Sequence, residues 1–314
     1  MRASSEEKSN LEQVEYTETI AELFKSVTIG QVAINNCSID LAKMSNPTVS
    51  IVELDSLSFF LDKIQIDSVQ SKRDPFWFYE NLEFDLKSVK TSIGKRYHLE
   101  AENLKISASN KNLSLENIII LPFNLSESGT VDFINRDYMK FDISKIELQG
   151  VDYREIVRTG NISVDEVIAS QPKFEYLLDF VNPNSNTKKS MMPNSFLKKI
   201  ETNININRVK VNKGSVVLWL KNEINRDPVP LSFQLIDAAC NRVSLGEQWF
   251  EQRLVELNAK AFLQSKGQID LLFVLPLKNM NDEFFIKGSL GEMSIGLLNP
   301  ITEGTSYITC LLYT

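Results

Sequence analysis

Side chains able to run acid–base, nucleophilic or metal chemistry are few in this 314-residue sequence: one histidine, His98, and three cysteines, Cys37, Cys240 and Cys310. His98 lies in Arg96-Tyr97-His98-Leu99-Glu100, a strand-like stretch, with no second histidine to share a metal and no cysteine near it in sequence. The cysteines are odd in number and far apart, which suits neither a disulfide framework nor metal-ligand spacing. Glu100 and Glu102, two apart on a strand, share a face as paired carboxylates must. A glycosidase reading needs them in a cleft about 5–10 Å apart, whereas a solvated acidic strand needs nothing more. Gly288-Ser289-Leu290-Gly291 is a GxxG without the G-x-G-x-x-G or GK[ST] context of a phosphate loop, so it reads as the turn of a strand, and no G-x-S-x-G is present. Lys188–Lys189 and Lys198–Lys199 are either solubilising charges or a headgroup contact. Pro75-Phe76-Trp77-Phe78-Tyr79 is either sheet-end packing or a bilayer-interface contact. These residues predict no catalytic group, no metal and no cofactor.

Composition narrows the partners. With 34 basic and 41 acidic residues the formal charge is −7, which disfavours nucleic acid, since phosphate binding needs a clustered positive surface. Hydrophobic content of 43% and charged content of 24% are ordinary for a globular chain. Residues 1–10 are polar, without the apolar stretch of a signal peptide. No run approaches the ~18 apolar residues of a membrane span.

The elements that must position any site are strands. Apolar residues alternate with period two at Leu82, Phe84, Leu86; Leu104, Ile106; Leu113, Leu115; Phe141, Ile143; Ile146, Leu148; Ile204, Ile206; and Val216, Leu218. Such alternation puts apolar side chains on one face of a pleated strand. Turn-formers separate the runs at Asn35–Asn36, Asn110–Lys111–Asn112, Ser128–Gly129, Asn212–Lys213–Gly214 and Lys266–Gly267. The fold class is therefore all-β with a few short helices: residues 14–27, Asp152 to Thr159 closed by Gly160, and residues 196–201. The polar, proline-bearing stretch 182–195 reads as a loop or linker. It divides the chain into a first β-segment over 1–181, a loop and short helix over 182–201, and a second β-segment over 202–314.

An internal repeat is visible in the spacing. Taking Val27 as zero, apolar residues fall at offsets of 2, 5, 10, 12 and 14: Ile29, Val32, Cys37, Ile39, Leu41. The same offsets from Ile162 give Val164, Val167, Pro172, Phe174, Tyr176, and from Ile204 give Ile206, Val209, Gly214, Val216, Leu218. Of these eighteen positions sixteen are apolar, twice what 43% usage supplies. The step from offset 2 to offset 5 flips side-chain parity. Keeping one face buried then requires a bulge at Gly30–Gln31, Asp165–Glu166 and Asn207–Arg208. Each unit reads as a strand, a kink, a turn and a return strand, and stacked units make one long twisted antiparallel sheet of repeated hairpins. The apolar candidates for its lined face are Val27, Ile29, Ile39, Leu41, Ile162, Val164, Phe174, Ile204, Ile206, Val216 and Leu218.

Two stretches resemble the AsmA-like proteins (the AsmA/TamB superfamily) of the bacterial envelope, in the form found in Bacteroidetes-type bacteria. One runs from Phe141 through Gly150-Val151-Asp152, a short helix and Gly160 to Ile162-Ser163-Val164 and Gln171-Pro172-Lys173-Phe174. The other runs from Phe285-Ile286-Lys287-Gly288 to Asn299-Pro300. The resemblance implies a sheet curled into an open groove, apolar within and wet outside, that binds or conducts phospholipid or another acyl-chain ligand and assists outer-membrane assembly. It implies a non-enzymatic periplasmic protein anchored in the inner membrane when intact. This chain lacks the N-terminal anchor helix and stops soon after Asn299–Pro300, so the expectation is a fragment, with Met1 an internal start and the last strand an exposed edge. Without the resemblance, a structural or adhesive β-repeat module binding protein or glycan accounts for the same pattern.

Overall fold

The computed structural model describes residues 26–45, 48–67, 81–93, 97–122, 138–180, 197, 200, 202–221, 227–246, 254–276 and 283–306. They are overwhelmingly strand. In chain order these are β1 (Ser26–Ser45), β2 (Thr48–Asp67), β3 (Asn81–Ile93), β4 (Tyr97–Ser107), β5 (Asn112–Pro122), β6 (Met139–Gln149), α1 (Tyr153–Thr159), β7 (Ile162–Ser170), β8 (Lys173–Asp179), β9 (Ile204–Lys221), β10 (Val229–Leu245), β11 (Leu254–Leu263), β12 (Gly267–Pro276) and β13 (Phe285–Leu290). A 3₁₀ turn (Ile295–Leu298) and α2 (Asn299–Ser306) come after them. Most of the expected helix over 14–27, whose last two residues, Ser26 and Val27, instead open β1, lies outside the described residues, as do most of that over 196–201, the linker 182–195, Ser128–Gly129, the aromatic cluster 75–79, both lysine pairs and Cys310.

All thirteen strands belong to one sheet, laid out almost in sequence order. β7 and β8 share a lane. β6 pairs with β7 through Lys145–Gln149 and with β8 through Met139–Asp142, while β9 runs along both from the other side. The sheet therefore has twelve lanes. Antiparallel pairing joins β1 to β8 on one side and β9 to β13 on the other of one parallel seam, where Ile162 to Ser170 and Lys173 to Asp179 pair with β9. The sheet is thus mixed rather than purely antiparallel: a parallel neighbour needs a crossover, which the chain between Asp179 and Ile204 supplies. The sheet also continues without a break across the 182–201 stretch.

Two expected turns are not turns. Asn36 and Lys213 have φ of 54° and 53°, yet β1 and β9 continue through them for 20 and 18 residues. Gln171, at the same offset of 9 in the second repeat unit, has φ 51° and joins β7 to β8. These single left-handed steps reverse side-chain parity without reversing the chain. They belong to a line crossing the sheet, with Ser56, Asn103, Asn117 and Leu235 also at positive φ. Side chains take up polar groups along it. Asn36 N donates to Ser58 Oγ at 3.2 Å, Lys213 N to Asp237 Oδ1 at 2.9 Å, Asn103 Nδ2 to Glu116 at 3.1 Å and Asn117 Nδ2 to Glu102 at 2.8 Å. Each left-handed step costs roughly 1–2 kcal/mol. Omitting the one at Lys213 would turn Val216, Leu218 and Leu220 to the wrong face, at about 1.5–3 kcal/mol each. The kink wins.

A second line answers the expected bulges. Opposite Gly30 stands Lys63 (φ 47°), beside Asp165 stands Gly150 (φ 69°), and opposite Asn207 stands Arg242 (φ 58°). The register does not slip at these points, so the irregularity takes the form of a left-handed residue on the neighbouring strand rather than an extra residue. Parity does flip as the spacing required: Ile204 and Val209 pack against the same cluster of Cys240, Leu245, Val255 and Leu275. The turn at Asn110–Lys111 is present, as is α1, capped by Asp152 Oδ1 accepting from Glu155 N at 3.0 Å and ended by Gly160 N donating to Ile156 O.

Candidate functional site: one apolar face across twelve lanes

Cross-strand partners share a face, so the register traces which side chains line up. Starting at Ile34, successive partners are Phe59, Phe84, Ile106, Leu113, Leu148, Val167, Val209, Cys240, Leu257, Phe273 and Ile286. One residue comes from every lane, and every one is apolar. At about 4.8 Å between lanes, the row runs about 50 Å across the sheet. Beyond the left-handed line a second row passes through Leu41, Val52, Thr91, Leu99, Ile120, Phe141, Phe174, Val216, Phe233, Leu263 and Gly267, apolar except for Thr91 and for Gly267, which has no side chain. Phe141 and Phe174 meet there with ring centroids 4.6 Å apart.

The opposite face is charged. Lys90–Glu100, Lys105–Asp85, Lys140–Glu175, Lys145–Glu116, Lys173–Asp142, Lys210–Glu166, Lys221–Asp179 and Lys260–Asp270 pair across neighbouring strands at 2.8–4.0 Å. Where both side chains are exposed, as in Lys105–Asp85 and Lys260–Asp270, such pairs contribute little stability, about 0–1 kcal/mol each, whereas the Asp179 carboxylate is buried beside Lys221. What the exposed pairs do is hold that face in water. An exception is Leu177, 1% exposed, which pairs with Trp219 while the Trp219 Nε1–H donates to Glu175.

All eleven candidates from the repeat lie on the apolar face. Val27, Ile29, Ile39 and Leu41 come from edge strand β1, where Ile29 and Leu41 are 40% and 57% exposed. Ile162, Val164, Ile204 and Ile206 flank the parallel seam, with Val164 buried and the others half-buried. Phe174, Val216 and Leu218 are half-buried beyond the left-handed line. The repeat spacing overlooked Ile34, Ala169 and Val211. All three sit at offset 7 and share the face, so the signal was present in the sequence. The lanes of β2 to β6 and of β10 to β13 carry the rest of the rows and lie outside the repeat altogether.

The residues with chemical potential are dispersed. His98 pairs with Ser92 and Leu121 on the charged face. Glu100 meets Lys90, while Glu102 accepts from Asn117, so each carboxylate has its own partner. Gly288 lies inside β13 rather than at a turn; a Cβ there would come within 2.6 Å of Leu271 Cδ2, so the glycine allows close strand approach. Among the described residues no three His, Cys, Asp or Glu side chains group as metal ligands, and no helix is long and apolar enough to cross a membrane. A depression of about 680 Å³ is lined by Lys210, Ala239, Asn258, Leu272 and Lys287 on one side and Asp237, Lys260, Asp270 and Ser289 on the other. Those are two adjacent rows of the charged face, so it is a furrow between them and not part of the apolar surface.

Cys240 lies in the twelve-lane row and is 5% exposed; chiefly burial pushes its thiol up from the ordinary value. N-ethylmaleimide at neutral pH should therefore modify Cys240 only once denaturant is added. Peptide mapping that found native Cys240 labelled at the rate of a free thiol would place it elsewhere than inside the face.

Comparison of the chain with protein-family models, with characterised proteins and with solved structures returned no match.

Proposed function

We propose that the chain is a non-enzymatic acyl-chain-binding protein of the bacterial cell envelope, of the AsmA-like type, holding or conducting phospholipid along the apolar face of its sheet. The observation that carries this reading is the row from Ile34 to Ile286, apolar in every lane. A globular core needs apolar residues only where a second layer covers them. An uninterrupted apolar line across twelve lanes is what a sliding hydrocarbon chain needs, each buried CH₂ contributing about 0.8 kcal/mol. The kinks support it as well, because they keep the line continuous at a conformational cost. The other reading, a repeat module for protein or glycan, expects a sandwich, and the thirteen described strands lie in one sheet.

Gentle purification from a bacterial host, solvent extraction and mass spectrometry should recover phospholipid in stoichiometric amount. Ile206→Asp and Leu218→Asp, which charge the face on either side of Lys213, should each lower that yield about tenfold, an unpaired carboxylate being costly against hydrocarbon. A folded, lipid-free wild-type protein, or full loading in both variants, would refute the assignment.

A further inference from the structure

After β13 the chain turns back over the apolar face. Gly267, the first residue of β12, directs its missing side chain to that face, as its partner Leu263 does. The place a Cβ would take lies 2.9 Å from Leu290 Cδ1 and within van der Waals distance of Met293. The thioether therefore sits on the glycine like a peg on a flat. Beyond it α2 packs against β10, three lanes in from β13. Gly291 N donates to Gln268 O at 2.7 Å, and from Ile295 the chain is helical, so the helical part is held by side chains rather than by a strand ladder. The 3₁₀ turn buries no residue, and Ile295 and Leu297 are 43% and 41% exposed. In the same lanes Ala261, Leu263 and Ile269 are buried.

We propose that Met293–Ser306 is a movable cover over the β10–β12 end of the apolar face, seated by Met293 on Gly267 and displaced by an acyl chain; this rests on the acyl-chain reading. A helical segment that lies outside the strand ladder opens at lower free energy than a strand inside a twelve-lane sheet. While closed it removes that end of the face from the ligand, and apparent affinity falls by the closed fraction.

The test is a reversible lock. Gly267→Cys with Met293→Cys, combined with Cys37→Ser and Cys310→Ser, places two thiols where the peg sits. Binding of cis-parinaric acid, a fluorescent fatty acid, is titrated in the oxidised and reduced forms of that one protein and in wild type. Reduction should raise affinity about fivefold or more, and Met293→Ala alone should bind more tightly than wild type. Equal affinity in the two redox forms, with wild type binding, would overturn the cover and leave the acyl-chain reading standing. Failure of the pair to oxidise would overturn the seating of residue 293 on Gly267. Absence of binding in wild type and in both redox forms would overturn the acyl-chain reading and the cover with it.

Discussion

Gly246→Ala should lower the unfolding free energy by about 3 kcal/mol, the largest effect expected of a glycine-to-alanine change among the described residues. Gly246 follows β10 with φ 96°, a conformation costly for any L side chain. A Cβ there would lie 2.6 Å from Asn203 Cα and 2.8 Å from Thr202 O, and backbone has no rotamer with which to yield. The displaced residue matters more than the clash itself. Asn203 O accepts from Ile162 N at 2.8 Å, and Asn203 Nδ2 donates to Asn161 Oδ1 at 3.0 Å, so it ties β9 to β7 where the parallel seam begins. Just beyond, Ile204 pairs with Leu245 and packs against the cluster of Cys240, Leu245, Val255 and Leu275. Urea titration followed by circular dichroism would measure the loss. Gly30→Ala is the control, having no heavy atom within 4 Å of the new methyl and no positive φ, and should be near neutral. Equal midpoints for the two variants would mean that residues 202–203 do not pass against Gly246.

The second large effect belongs to Val164, 2% exposed and paired with Ile206 across the seam. Val164→Asp buries a carboxylate with no partner and should cost about 3–5 kcal/mol at neutral pH. Leu41→Asp, at a position 57% exposed on the same face, should cost under about 1 kcal/mol. The pH dependence has a definite sign. Burial raises the folded-state pKa of the new Asp above its unfolded value of about 3.9. Below that value the group is neutral in both states and the ionic penalty vanishes. The penalty grows as pH rises from there to the folded-state pKa, above which it stays constant. The deficit of Val164→Asp against wild type should therefore shrink on acidification toward pH 4. A deficit that stayed constant with pH would show that water reaches position 164, contrary to a closed seam.

The candidate face was half legible in the sequence. The alternations at Leu82–Leu86, Phe141–Ile143 and Val216–Leu218 are local, because adjacent side chains on a strand point to opposite sides whatever the partner. The offset-9 step was legible only as an anomaly. Asn36, Gln171 and Lys213 are three different residue types that share only their effect on parity, which reverses at Cys37, Pro172 and Gly214. Asn212-Lys213-Gly214 has the chemistry of a hairpin turn, and local propensity favours that reading. It fails because β9 keeps its partners before and after Lys213: Val211 pairs with Ala238 and Val216 with Phe233. Two neighbouring lanes holding a strand straight outweigh a turn that three residues prefer.

Period-two patterning by itself determined that this chain is a β-protein with one apolar and one charged face, and the residue inventory left little acid–base or metal chemistry to build. Both follow from side-chain direction and composition, which need no partner. The tertiary structure alone decided the lane order, the parallel seam that carries the sheet across residues 182–201, and the joining of separate apolar patches into one row from Ile34 to Ile286. Those depend on register between strands as far apart in sequence as Val164 and Ile206. A slip of one residue at any lane would break the row while leaving every local pattern unchanged.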